Sequence, residues 1–169
     1  MTADEFKLQV FVLKDKLFRF SKRILNDNTE AQDVTQDVLM KLWDMRNELH
    51  KYNSIEAFAM TNTRNLSLDR ARRKNMKYQK APEIKYETET EENNNYLENK
   101  ELGEIIRKAI DNLKEPHRTI MHLRDVEQYE FEEIEPIVGM NTKTLRVNLS
   151  RARKKVREEL KKIMSYGTA

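Results

Sequence analysis

The chain has no cysteine, only three glycines and three prolines in 169 residues, and a single tryptophan. Without cysteine there can be no disulfide and no thiolate zinc site. So few Gly and Pro leave too little turn chemistry for a β-sandwich or barrel. No apolar run approaches the roughly 20 residues of a membrane span. The opening MTADEFKLQVF is acidic and lacks the pattern of a signal peptide, so a cytoplasmic protein without membrane insertion is expected. With 38% hydrophobic and 36% charged residues, one large core is not expected and small helical bundles fit better.

The net charge of +3 hides a pattern. Residues 61–81 carry seven basic side chains and one acid, 83–101 carry two and seven, and 141–162 carry nine and two. Two basic segments flanking an acidic one point to polyanion contact at two places, or to two solvated helix faces.

Apolar periodicity supplies the elements. Phe6, Val10, Leu13, Leu17, Phe20 and Ile24 form one stripe, predicting a helix over 4–26. Thr29, three residues before Gln32, has capping-box spacing and predicts a second helix over about 30–46, with Ala31, Val34, Val38, Leu42 and Met45 inward. A loop over 47–53 leads to Asn53 or Ser54 as the cap of a third helix, which reaches about Lys74 with Phe58, Thr61, Asn65, Leu68 and Arg72 along one side. Residues 76–99 are acidic, Asn-rich and too poor in apolar groups to offset ordering entropy, so a flexible linker is expected. Beyond it, Leu102, Ile105, Ile106, Ala109, Ile110 and Leu113 mark another helix, and Pro116 suits the first turn of a further one reaching about Arg124. FEEIEPIV reads as a short helix over about 130–138 closed by Gly139, and Asn141 or Thr142 caps a final helix to about Met164. The expected fold is all-α: two small helical domains, 1–75 and 101–169, joined by an acidic linker over 76–100.

Residues 130–153 have the layout of a helix-turn-helix, whose second helix would lie in a major groove. Asn141, Thr142, Lys143, Thr144, Arg146 and Asn148 could meet bases and phosphates, and Arg151, Arg153, Lys154, Lys155 and Arg157 the backbone. His50, His117 and His122 stand at no metal-ligand spacing, and no Gly-rich phosphate loop, nucleophile elbow or carboxylate dyad is present. No metal, cofactor or catalysis is therefore expected. Charge and layout alone leave open a stand-alone duplex-binding regulator and an interaction protein with merely solvated basic faces.

AQDVTQDVLMKLW (31–43), TRNLSLDRARRKN (63–75), LKEPHRTIMHLRDVEQYEFEEI and VGMNTKTLRVNLSRARKKVREEL together resemble regions 2 and 4 of bacterial RNA polymerase sigma factors. Their order, spacing and short total length are similar to the extracytoplasmic-function (ECF) subgroup of the sigma-70 family. That resemblance implies a factor that binds core RNA polymerase through the β′ clamp coiled coil and the β subunit, directs it to promoter DNA, and is held by an anti-sigma factor. Asp33, Gln36, Asp37 and Trp43 match the clamp-binding helix. Tyr52, Asn53, Arg64, Asn65, Arg72 and Arg73 fall in the segment that reads the −10 element, with Arg70 and Lys74 as further phosphate contacts. Asn141, Thr142, Lys143, Thr144, Arg146, Asn148, Arg151 and Arg153 fall in the −35 reader. One departure stands out. Where the family usually has Glu-Ile-Ala before the turn, this chain has Glu133-Ile134-Glu135-Pro136, so the first helix of the motif is expected to start later, bend or pack differently.

Overall fold

The computed structural model describes residues 1–78 and 97–166, and no strand occurs among them. Helix α1 (Ala3–Gln9) is followed by a 3-10 turn at Phe11–Leu13, α2 (Lys14–Leu25), α3 (Asn28–Asp44), a 3-10 turn at Leu49–Lys51 and α4 (Ile55–Tyr78). The second half holds α5 (Leu97–Asp111), α6 (His117–Met121), a wide turn at His122–Val126, α7 (Phe131–Val138) and α8 (Thr142–Tyr166). The ends of the expected linker are thus helical at 76–78 and 97–100; its remainder, 79–96, lies outside the described residues.

All six residues of the first stripe are buried, yet they do not lie on one helix. The backbone tightens between Val10 and Leu13, so α1 and α2 are separate. A tightened turn keeps the inward spacing while changing direction, which periodicity cannot reveal. Asn26 closes α2 in the left-handed conformation, at φ 50°. The cap of α3 is Asp27 rather than Thr29: its carboxylate accepts from the Glu30 N–H at 3.0 Å. That carboxylate sits at the helix N-terminus and is held below its usual pKa, first by this backbone hydrogen bond. Ser54 caps the start of α4, accepting from the Ala57 N–H at 3.1 Å.

The buried side of α4 also differs from expectation. Ala59, Met60, Thr63 and Ser67 face inward, while Phe58, Thr61 and Leu68 are half-buried and Asn65 and Arg72 exposed. Small residues let α4 approach α2 closely, and the Ser21 and Ser67 hydroxyls hydrogen-bond at 2.9 Å in the buried contact. An apolar-stripe count overlooks a helix that packs through Ala, Ser and Thr.

The two halves meet. Their buried apolar side chains form one continuous cluster. The Phe20 ring of α2 stacks on the His122 ring, 5.6 Å between centroids and 6° from parallel. Arg19 donates two hydrogen bonds to Glu127 at 2.9 and 3.0 Å, and Arg23 donates to Asp111 at 2.7 Å. The Glu127 side chain is only 6% exposed, so removing Arg19 would leave a buried carboxylate without its partner. Glu56 of α4 accepts from Lys16 at 2.6 Å and from the Tyr129 hydroxyl. The Thr61 hydroxyl reaches the Pro136 carbonyl of α7 at 3.4 Å.

Candidate nucleic-acid and partner interfaces

On α3, the inward row Ala31, Val34, Val38 and Leu42 leaves Asp33, Gln36 and Asp37 exposed on the outer side. Trp43 is 38% exposed. One edge packs on Phe6 of α1 at 5.0 Å, and the Arg46 guanidinium lies over the ring at 4.4 Å. Trp43 is therefore both core and platform. Next to it runs an open groove of about 600 Å³ lined by Asp37, Met40, Lys41, Asp44, Met45 and Glu48. Three carboxylates around two thioethers suit a basic helix with apolar contacts. Sequence reasoning named Asp37 but missed Asp44 and Glu48, whose signal is acids at helical spacing on the same outer side.

The basic run on α4 divides in two. Arg72 and Arg73 are exposed, as is Asn65. Arg72 is 3.7 Å from Asp69, one turn away on the surface, a pair worth little. Arg70 and Lys74 instead turn back onto α3. Arg70 donates to Glu30 at 3.0 Å and Asp37 at 2.6 Å, with Asp33 at 3.9 Å, and Lys74 donates to Asp27 at 3.1 Å. The expectation that these two hold phosphates is not what the closed protein shows. Arg64 is half-buried, one turn beyond Thr61 on the side that meets α7, and its Nε is buried without a hydrogen-bond partner. In the loop before α4, Tyr52, 39% exposed as a residue, stacks on Phe58 at 3.8 Å, and Asn53 is exposed. One face of Tyr52 is occupied, so a base would stack on the other.

In the helix-turn-helix, Gly139 takes φ 71°, a left-handed conformation that suits glycine, and turns the chain from α7 into α8. Asn141 caps α8 by accepting from the Thr144 N–H at 2.9 Å. Glu135 explains the departure from the expected motif. Its carboxylate accepts from the Thr142 hydroxyl at 2.6 Å and from the Thr142 N–H, which places a negative charge at the positive end of α8. Pro136 lies inside α7, which still runs from Phe131 to Val138; its side is exposed, so solvent can serve the carbonyl it leaves unpaired. The expected late start is therefore not seen.

These bonds sort the expected −35 residues. Asn141 and Thr142 are engaged in capping, Asn148 donates to the Thr144 carbonyl at 2.9 Å, and Arg153 is held by Asp125 at 2.5 and 3.0 Å. Lys143, Thr144, Arg146 and Arg151 present exposed side chains. Arg146 stacks on Phe131 at 5.2 Å, with Arg124 on the same ring at 5.1 Å. Phe131 and Arg146, with Leu149, Ser150, Arg153 and Arg157, line a cleft of about 380 Å³. Sequence reasoning missed Val147, which is 45% exposed between Lys143 and Arg151 on the outward side. A methyl-bearing side chain there suits a thymine methyl.

Residues 12–76 match the family Sigma-70 region 2, and residues 103–156 match Sigma-70, region 4. The chain belongs to the sigma-70 family. Among its relatives are the ECF RNA polymerase sigma factor SigE of Mycolicibacterium smegmatis, 26% identical over 152 residues, and SigW of Bacillus subtilis, 23% identical over 171 residues. The chain spans 58% of that SigE and 90% of SigW, and 88% and 94% of its own length is matched. It shares the fold of the sigma factor RpoE solved with the anti-sigma factor NepR from Bartonella quintana, at a TM-score of 0.78, 23% identity, and coverage of 94% of this chain and 98% of that one. It is a sigma-70 factor of the ECF group, a promoter-directed transcription initiation factor. No described helix is long and apolar enough to cross a membrane.

Proposed function

We propose that this sigma factor docks on core RNA polymerase through the outer side of α3, reads the −10 element with the Tyr52–Asn53 loop and α4, and reads the −35 element with α8. The carrying observation is that both family regions sit in one chain, each with an exposed helix side of fitting chemistry. On α3 these are Gln36, Asp37 and Trp43 beside an acidic, Met-lined groove. On α8 they are Lys143, Val147 and Arg151 opposite the buried Leu145, Leu149, Ala152 and Val156. The clamp coiled coil of β′ is the partner assigned to the α3 groove, and the β subunit a further contact. No cofactor enters this mechanism, and the factor would work in the cytoplasm with polymerase.

The contact between the halves bears on control. Arg64 is half-buried one turn beyond Thr61, whose hydroxyl reaches the Pro136 carbonyl of α7, so parting of the halves would free it for a promoter strand. The protein solved with NepR has the same fold, which supports an anti-sigma partner that favours the closed arrangement here.

Replacing Gln36 and Asp37 together by alanine tests the docking assignment. Loss of a paired charge and its neighbour from an interface costs on the order of 2–5 kcal/mol, so affinity for core is expected to fall at least tenfold. Titration of labelled factor against purified core measures it. Wild-type affinity in the double variant would reject this docking face. A specific duplex shift that needs no polymerase would favour a stand-alone regulator.

A further inference from the structure

Arg70 occupies an unusual place for a basic residue in a promoter-reading helix. Its guanidinium is turned away from solvent toward three carboxylates of α3, spaced along one side at Glu30, Asp33 and Asp37. One cation serves three acids, so this edge of α3 remains net negative. The closest contact is to Asp37, through one carboxylate oxygen at 2.6 Å. The same Asp37 side chain lines the open groove with Met40, Asp44 and Glu48. Asp37 therefore stands at a seam, with Arg70 on one side and the groove on the other.

The geometry points to Arg70 as a positioning residue for the polymerase-docking face: by gripping one oxygen of Asp37 and bracing Glu30, it orients the Asp37 carboxylate toward the groove. A guanidinium can do this because its planar fork donates in two directions at fixed angles. Here one amino group serves Glu30 and the other Asp37. A lysine ammonium at the same point cannot hold both in that geometry. Without Arg70, three like charges along α3 repel one another and the Asp37 rotamer is unfixed. Arg70 thus belongs functionally to α3, although it lies in the basic run of α4.

This inference rests on the docking assignment above, and the test separates the two. Full-length wild type, Arg70→Ala, Arg70→Lys, Asp37→Ala and Arg70→Ala with Asp37→Ala are titrated against core polymerase, and each assembled holoenzyme is then titrated against promoter DNA over a salt series. Arg70→Ala is expected to weaken core binding about tenfold, Arg70→Lys less, and the double variant no more than Asp37→Ala alone, as neighbours acting as one unit do. The promoter affinity of the assembled holoenzyme, and its dependence on salt, should stay at the wild-type level. Normal core binding by Asp37→Ala overturns the docking assignment and this inference with it. A weakened Asp37→Ala beside a wild-type Arg70→Ala overturns only the positioning role. Losses that add in the double variant also overturn it. So does a promoter affinity that falls with a shallower salt slope in Arg70→Ala, because that marks a phosphate contact.

Discussion

At pH 5 the protein is expected to be about 2 kcal/mol less stable than at pH 7 because of His122 alone. His122 is buried against Phe20, and neither ring nitrogen has a hydrogen-bond partner. Burial pushes its pKa down to about 4, with Arg23 and Arg19 acting in the same direction and Glu127 against them. In the unfolded chain the ring titrates near the ordinary value of 6.5. Between these values the unfolded state takes up a proton that the folded state refuses. Stability from this group is thus complete above about pH 6.5 and falls as the pH drops toward 4. Urea midpoints measured from pH 7 to 5 should decline, and His122→Leu should flatten the decline. An equal slope in that variant would mean that His122 is not the group responsible. The ring lies against the first half of the chain, so acid should also loosen the contact between halves. Because the chain lacks cysteine, two introduced cysteines can carry a dye pair that reports their separation.

Glu135→Ala is expected to cost about 1–2 kcal/mol and to weaken binding to the −35 element roughly tenfold. The carboxylate holds both the backbone and the hydroxyl of Thr142 at the start of α8. Its loss leaves the turn after Gly139 without this cross-brace, and the first turn of the reading helix frays where it must meet bases. Glu135→Gln retains an acceptor and should recover most of the loss, whereas a purely charge-based role would leave Gln as poor as Ala. Thermal melting and holoenzyme titration against DNA carrying only the −35 element measure the two effects. A Glu135→Ala factor with unchanged melting and −35 affinity would show that Asn141 caps the helix sufficiently by itself.

Inward residues were legible wherever burial is by large apolar side chains, even where, as between Val10 and Leu13, the helix itself breaks. Phe6 through Ile24, Ala31 through Leu42, and Leu145 with Leu149 follow their periodicity into the core. Legibility failed where local chemistry chose among equals. Asp27 and Thr29 are both competent caps, and only the backbone shows which one α3 uses. Phe58 has more apolar area than Ser67, yet Ser67 is the buried one because close approach to α2 admits only small groups. The candidate sites divide in the same way. Exposed positions such as Gln36, Asp37, Lys143 and Arg151 follow from helical spacing. The partners of Arg70, Arg153 and Glu135 lie on other elements, so no spacing within a helix shows that their charges are engaged. The meeting of the two halves was equally hidden, since Phe20 and His122 are about a hundred residues apart.

Run-off transcription tests the central claim most directly. Purified factor is mixed with core polymerase from its host on sheared genomic DNA, and 5′ ends are mapped with and without the factor. Discrete new ends that depend on the factor and share upstream −35 and −10 elements are the expected result. An absence of new ends, together with no stable complex between factor and core, would contradict the account.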